Sequence, residues 1–305
     1  VETTQTPLSR TRVKAELRET VSLPDTRVRD GVFVVKLVVY AVLTATGAVL
    51  ALTPAAWSRV LGTLLLGCMF AHAAELQHET LHSLAFRNRR ANVIAGVVLG
   101  VPMLVSFAAY RAAHLRHHRD LGTPENREYF DYDASQERSS VWAWAVRLSM
   151  VNQWWRFLTS TGRTLRRGDF PGETATTSRH IRRDHLIMLA GLAGFTALSV
   201  LVGEALVVWL WLLPAVLVAA PVHALIELPE HFRCDTLNRD PFANTRTIRS
   251  NWFMTWFTNG NNFHVEHHLM PNLPIGRLFI LHTQIRDRLQ HFHAGYVRYF
   301  RSLGR

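Results

Sequence analysis

The sequence reads as an all-α membrane protein: four transmembrane helices in two hairpins, a re-entrant or interfacial helix, and a helical cytosolic cap carrying a two-metal site. Three observations point there. Apolar residues of the 305-residue chain are bunched into long runs, cationic residues fall almost entirely between those runs, and eight histidines gather in three short clusters. A hydrocarbon core is crossed by roughly 20 apolar residues, which is near the length of these runs.

Residues 1–30 are polar and mixed in charge, with no apolar core of the kind a signal peptide carries. They are expected to form a flexible or surface-lying cytosolic arm, followed by one integral-membrane domain over 31–305. The first hairpin is expected at about 32–52 (VFVVKLVVYAVLTATGAVLAL) and 60–76 (VLGTLLLGCMFAHAAEL). The second is expected at about 186–202 and 205–226, the latter reading ALVVWLWLLPAVLVAAPVHALI. The cap takes 111–185 and 227–305.

Charge sets the sides. With these hairpins, 32 of the 34 Lys and Arg residues share one face, and the positive-inside rule makes that face cytoplasmic. A net charge of +11 on a soluble protein would suggest nucleic acid. Here the charges flank apolar spans, so contact with anionic headgroups explains them better and no nucleic-acid partner is expected. Only Cys68 and Cys234 are present, which implies no disulfide framework.

The run 91–110 (ANVIAGVVLGVPMLVSFAAY) is apolar enough to be a fifth span, but crossing there would put the first two histidine clusters in opposite compartments. It is therefore read as re-entrant or interfacial, with Gly96, Gly100 and Pro102 helping it bend.

The clusters are His78 and His82 in HETLH, His114, His117 and His118 in HLRHH, and His264, His267 and His268 in HVEHH. Residues three or four apart share a helix face, so each cluster is expected to point one way. A lone histidine is usually a core or surface residue. Three clusters, two of one pattern, are more than one ion can use, so two metals are expected. Imidazole suits iron, zinc, copper or nickel, and spacing does not choose among them.

HETLH also satisfies the HExxH pattern of zinc proteases, with Glu79 as general base. That reading, an intramembrane protease, leaves both HxxHH clusters unexplained. The stretch His231-Phe232-Arg233-Cys234 makes a poor zinc half-site because the cysteine has no second cysteine near it.

The order HxxxH, HxxHH, HxxHH, divided by a cap and a helical hairpin, resembles the membrane fatty acid desaturase superfamily of non-haem di-iron enzymes. The segment from Glu230, EHFRCDTLNRDPFANTRTIRSNWFMTWFTNGNNFHVEHHLMPNLP, is similar to the C-terminal signature of bacterial members. The resemblance runs from about Glu75 to His282. It implies that the eight box histidines are ligands of two irons, and that His231 is a ninth.

Acyl-CoA desaturases place an Asn, which reaches iron through water, four residues before this histidine; here Glu227 stands there. Glu227, Glu230 and Asn262 are thus candidates for water-linked or supporting roles, with His72 and His223 as reserve ligands. Glu75, Glu79, Asp120, Glu230 and Glu266 are candidate acceptors for the second ring N–H of a ligand. Asn261 and Asn262 adjoin the third box, and Trp252, Trp256 and Phe257 are candidate channel residues. His180, His185, His282, His291 and His293 are expected to be ordinary cap residues.

The resemblance further implies an O2-dependent desaturase that places a double bond in a lipid- or carrier-linked acyl chain at the cytoplasmic face. O2 is the co-substrate, and electrons come from an external ferredoxin or small cytochrome. Arg163, Arg166 and Arg167 on the cap are candidates for docking that donor. A hydroxylase or ketolase of the same superfamily, or a desaturase of a small biosynthetic intermediate, are the alternatives.

Overall fold

The computed structural model describes residues 21–22, 25–130 and 140–303, so most of the expected N-terminal arm lies outside the described residues. The first hairpin is α1 (Asp30–Leu52) and α2 (Ala56–Leu81). With 26 residues, α2 is about 39 Å long, against a hydrocarbon core of about 30 Å. It therefore does not stop where the apolar run ends at residue 76. Its last turns continue beyond that run and carry the first histidines.

Small residues let the helices close on α2. A Cβ at Gly62 would sit 2.2 Å from the Ala51 backbone nitrogen, and one at Gly67 would sit 2.3 Å from Val218 Cβ. Close backbone approach of this kind drives helix association where lipid removes the hydrophobic incentive. α2 is the central post: 67% of its apolar window is buried, against 11% for α1.

The run 91–110 is two helices rather than one, α3 (Arg89–Gly100) and α4 (Phe107–Asp120). Twelve residues of α3 reach about 18 Å, too short to cross a bilayer. The bend falls at residues 101–106. Gly96 and Gly100 serve contact instead of bending: a Cβ at Gly100 would lie 2.1 Å from the Val105 carbonyl oxygen, and one at Gly96 2.2 Å from the Phe107 ring. The Gln77 amide of α2 donates to the Gly96 and Val105 carbonyls at 2.8 and 3.2 Å, pinning the turn.

α5 (Val141–Ser149) and α6 (Val151–Leu165) precede α7 (Ala175–Leu201), which starts well before the apolar run at 186. That extension carries Asp184, whose fully buried Oδ2 accepts from Ser106 Oγ and the Ala108 N–H at 3.0 and 2.8 Å. Ser106 itself caps α4. A carboxylate at a helix N-terminus meets both its orphan N–H groups and its dipole.

α8 (Val208–Glu230) is irregular: two π-helical stretches, Val208–Leu212 and Pro214–Ala219, precede α-helix and a final 3-10 turn. Pro214 has no N–H to give the ladder, which favours a locally rewound turn. Among the described residues, α1, α2, α7 and α8 are the four helices long and apolar enough to cross a membrane.

The C-terminal part is not wholly helical. A two-residue parallel pairing of Thr247–Ile248 with Phe292–His293 ties it together around α9 (Trp252–Phe257), α10 (His264–Leu269), α11 (Leu278–Ile285) and α12 (Tyr296–Leu303). The described end of the arm docks here instead of lying loose. Val21 is buried in a cluster with Leu269, Leu273 and Ile285, and the Ser22 N–H donates to Gln284 Oε1 at 2.9 Å.

Candidate metal centre

Four pieces of backbone deliver nine imidazoles to one place. His78 sits in the last turn of α2 and His82 caps it. His114, His117 and His118 lie on α4, and His264, His267 and His268 on α10. His231 follows the 3-10 turn that ends α8. All nine are buried except His82 and His231, which are partly so.

They form two groups. In the first, His114 Nε2 lies 2.9 Å from the Nε2 atoms of His78, His82 and His118, and His118 Nε2 lies 3.0 Å from that of His267. The second joins His117, His231, His264 and His268 through Nε2 separations of 3.1 to 3.3 Å.

The expectation that each cluster points one way needs correcting. Helix neighbours are about 100° apart, so His117 and His118 part company, as do His267 and His268. In each HxxHH the outer pair, four residues apart, stays with one group, and the middle histidine crosses to the other. Each group thus takes residues from both α4 and α10.

The spacing fits metal ions. Two nitrogens held about 2.1 Å from one ion at right angles are about 3.0 Å apart. Hydrogen bonding does not explain it, because His114 Nε2 meets three nitrogens and has one proton to share at most. The electrostatics agree. Burial, then neighbouring histidines, push His114, His118, His264, His267 and His268 well below the usual imidazole range, and burial takes His231 to about 4. Neutral imidazole is the ligating form.

Surrounding groups aim these rings. His231 Nδ1 donates to the Asn244 carbonyl at 2.8 Å, and His117 Nδ1 lies 2.8 Å from Asn126 Oδ1. Each leaves Nε2 for the site. Behind α10, buried Glu266 accepts from His282 Nδ1 at 2.7 Å and from Thr247 Oγ1 at 2.6 Å. His282 is thus a supporting residue and not an ordinary cap residue. The segment before α10 docks on α2 through Asn259, which donates to the Glu75 carbonyl and to Glu79 Oε2, and through Asn261, which donates to Glu75 Oε2 at 2.6 Å.

Other candidates fall elsewhere. Glu79 pairs with Lys36 of α1 at 2.7 Å, so the lysine inside an apolar run and the glutamate of HETLH answer each other. This Glu is not poised as a protease base. Asn262 spends its amide on the Ile248 carbonyl and Thr258, so Asn261 and not Asn262 lines the site. Asp120 pairs with Arg119. His72 donates to the Phe257 carbonyl and packs against Trp256, while Trp252 is 81% exposed and lines no channel. His185 stacks on Phe157. Glu227 lies 3.1 Å from His223 Nδ1, and Glu230 3.1 Å from His264 Nε2.

One residue escaped the sequence reading. Glu128 Oε1 lies 2.9 Å from His117 Nε2 and 3.3 Å from His231 Nε2. Glu128 stands outside every box, in a segment without helical period, so no spacing marked it.

The family model "Fatty acid desaturase" matches residues 54–300. The chain is also similar to the dihydrorhizobitoxine desaturase of Bradyrhizobium elkanii, 24% identical over 269 residues that cover 81% of this chain and 72% of the relative. Because the family match spans from just before α2 into α12 and encloses both histidine groups, the chain belongs to the fatty acid desaturase family and is an oxidoreductase of the desaturase type.

Proposed function

We propose that the chain is a membrane di-iron desaturase that removes two hydrogens from adjacent carbons of an acyl chain, lipid- or carrier-linked, at the cytoplasmic face. The observation that carries this is the pair of imidazole groups at ligand spacing beside four apolar helices. His78, His82, His114, His118 and His267 would hold one iron, and His117, His231, His264 and His268 the other. Bound there, the irons would supply O2 activation, the reaction balancing as two substrate hydrogens plus O2, two electrons and two protons giving two waters.

The chain's own contribution is position. Lys36–Glu79, Asn259 and Gln77 lock the end of α2 against its neighbours, so that a methylene pair meets a rigid donor set. A separate acidic carrier, a ferredoxin or small cytochrome, would deliver the electrons. Exposed Arg163, Arg166 and Arg167 are the candidates for docking it, and Arg167, Arg179, Arg182 and Arg183 share a shallow depression with apolar Leu165, Leu186, Ile187 and Ala190.

A second reading, desaturation of a small biosynthetic intermediate, is favoured by the similarity to the dihydrorhizobitoxine desaturase. The cleft beside His78, His114 and His264, lined by Glu75, Glu128, Glu227, Glu230 and Asn261, has room for about one water. Expression with a matched ferredoxin system, followed by profiling of lipids and soluble metabolites, separates the readings. Loss of two hydrogens from a lipid supports the first and from a soluble metabolite the second. Gain of an oxygen would make the chain a hydroxylase.

A further inference from the structure

We propose that Glu128 is a metal ligand, so that one centre is built from imidazole nitrogen alone and the other from nitrogen and a carboxylate oxygen. This rests on the two-metal reading above and concerns which residues complete it. Five donor atoms close a ring. Glu128 Oε1 is 2.9 Å from His117 Nε2, which is 3.3 Å from His268 Nε2; that lies 3.1 Å from His264 Nε2, which lies 3.1 Å from His231 Nε2, and the last returns to Glu128 Oε1 at 3.3 Å. Every edge is near the separation of adjacent ligands on one ion.

The hydrogen bond of His231 favours a cation inside that ring. The Asn244 carbonyl only accepts, so the proton of His231 sits on Nδ1 and its Nε2 turns a lone pair toward Glu128 Oε1. An anionic oxygen facing such a nitrogen at 3.3 Å repels it, and an ion between them turns repulsion into ligation. Glu128 as a side chain is 32% exposed, yet Oε1 is shielded from solvent and faces only the Nε2 atoms of His117 and His231. A buried carboxylate oxygen in that condition is costly unless a metal takes it up.

The position is built and not incidental. Tyr129 and Phe130, both buried, pack on Tyr110 with ring centroids 4.9 and 5.1 Å away, and the Tyr129 carbonyl accepts from Arg156. Glu227, which occupies the position of the family asparagine, is engaged with His223 instead. Glu230 meets one ring nitrogen where Glu128 meets two. A hard anionic oxygen favours the higher oxidation state more than imidazole does, so the two ions would differ in electronic character.

The test uses the full chain in detergent, loaded with ferrous iron, with Glu128→Gln, Glu128→His and the exposed control Glu125→Gln. Chelator competition reads iron retained per chain, and Mössbauer spectra read each environment. Glu128→Gln is expected to lose one ion on the order of 100-fold more readily while the other is unmoved. Glu128→His should restore retention, and Glu125→Gln should match the parent. Two ions held by Glu128→Gln with parental spectra, or both ions lost together, would overturn the assignment. Fewer than two ions in the parent chain would overturn the two-metal reading itself.

Discussion

The two histidine groups share α4 and α10 and differ in what completes them. The first collects five imidazoles: two from the end of α2, two from α4 and one from α10. All but His82, the cap of α2, stand on regular helix. The second takes one from α4 and two from α10, then turns to His231 and Glu128, which stand on irregular backbone. A site on helices is set by periodicity. A site that borrows from loops is set by whatever holds the loops, here the Asn244 carbonyl and the Tyr110–Tyr129–Phe130 packing.

The sharpest way to break the comparison is to strike neighbours on α10. His267→Ala should strip the all-nitrogen centre and His268→Ala the other, each weakening its ion by about 100-fold or more and abolishing turnover, with membrane insertion intact. Metal analysis with Mössbauer spectra checks this; loss of the same ion from both variants would end the idea of crossed boxes.

Next in size is Lys36→Met. It leaves the Glu79 carboxylate buried without its cation, at a cost of about 3 kcal/mol. Because Glu79 neighbours His78, the all-nitrogen ion should leave first as the protein is warmed. A thermal melt in detergent with metal analysis reads both effects. A smaller loss, about 1 to 2 kcal/mol, is expected for Asp184→Ala, which unseats the start of α4. α4 feeds both centres, so both ions should loosen together; selective loss of one would count against its shared role.

Least of all, charge reversal at Arg163, Arg166 and Arg167 should leave both centres loaded. Donor-driven turnover should fall about 10-fold at low salt and converge on the parent as salt rises. Kinetics unchanged at every ionic strength would remove these residues from the docking surface.

What could be read from sequence follows the same divide. The four apolar helices and the eight box histidines were legible because hydropathy and spacing are local signals. That His117 and His118 serve different centres was also within reach, since 100° per residue applies to them as to any helix. That 91–110 bends was legible too, but not that Gly96 and Gly100 serve contact, because glycines that permit close contact and glycines that permit bending look alike in a sequence. Asp184, Asn259 and Glu128 act across long sequence separations and carry no periodic mark. Lys36 was visible as an oddity within an apolar run, and only its partner Glu79 explains it.

The central claim is that the chain holds two ions in unlike surroundings. A Mössbauer spectrum of the purified, iron-57-loaded protein tests it most directly. Two doublets of equal area with distinct isomer shifts are expected. A single environment, or iron well short of two per chain, would contradict the account.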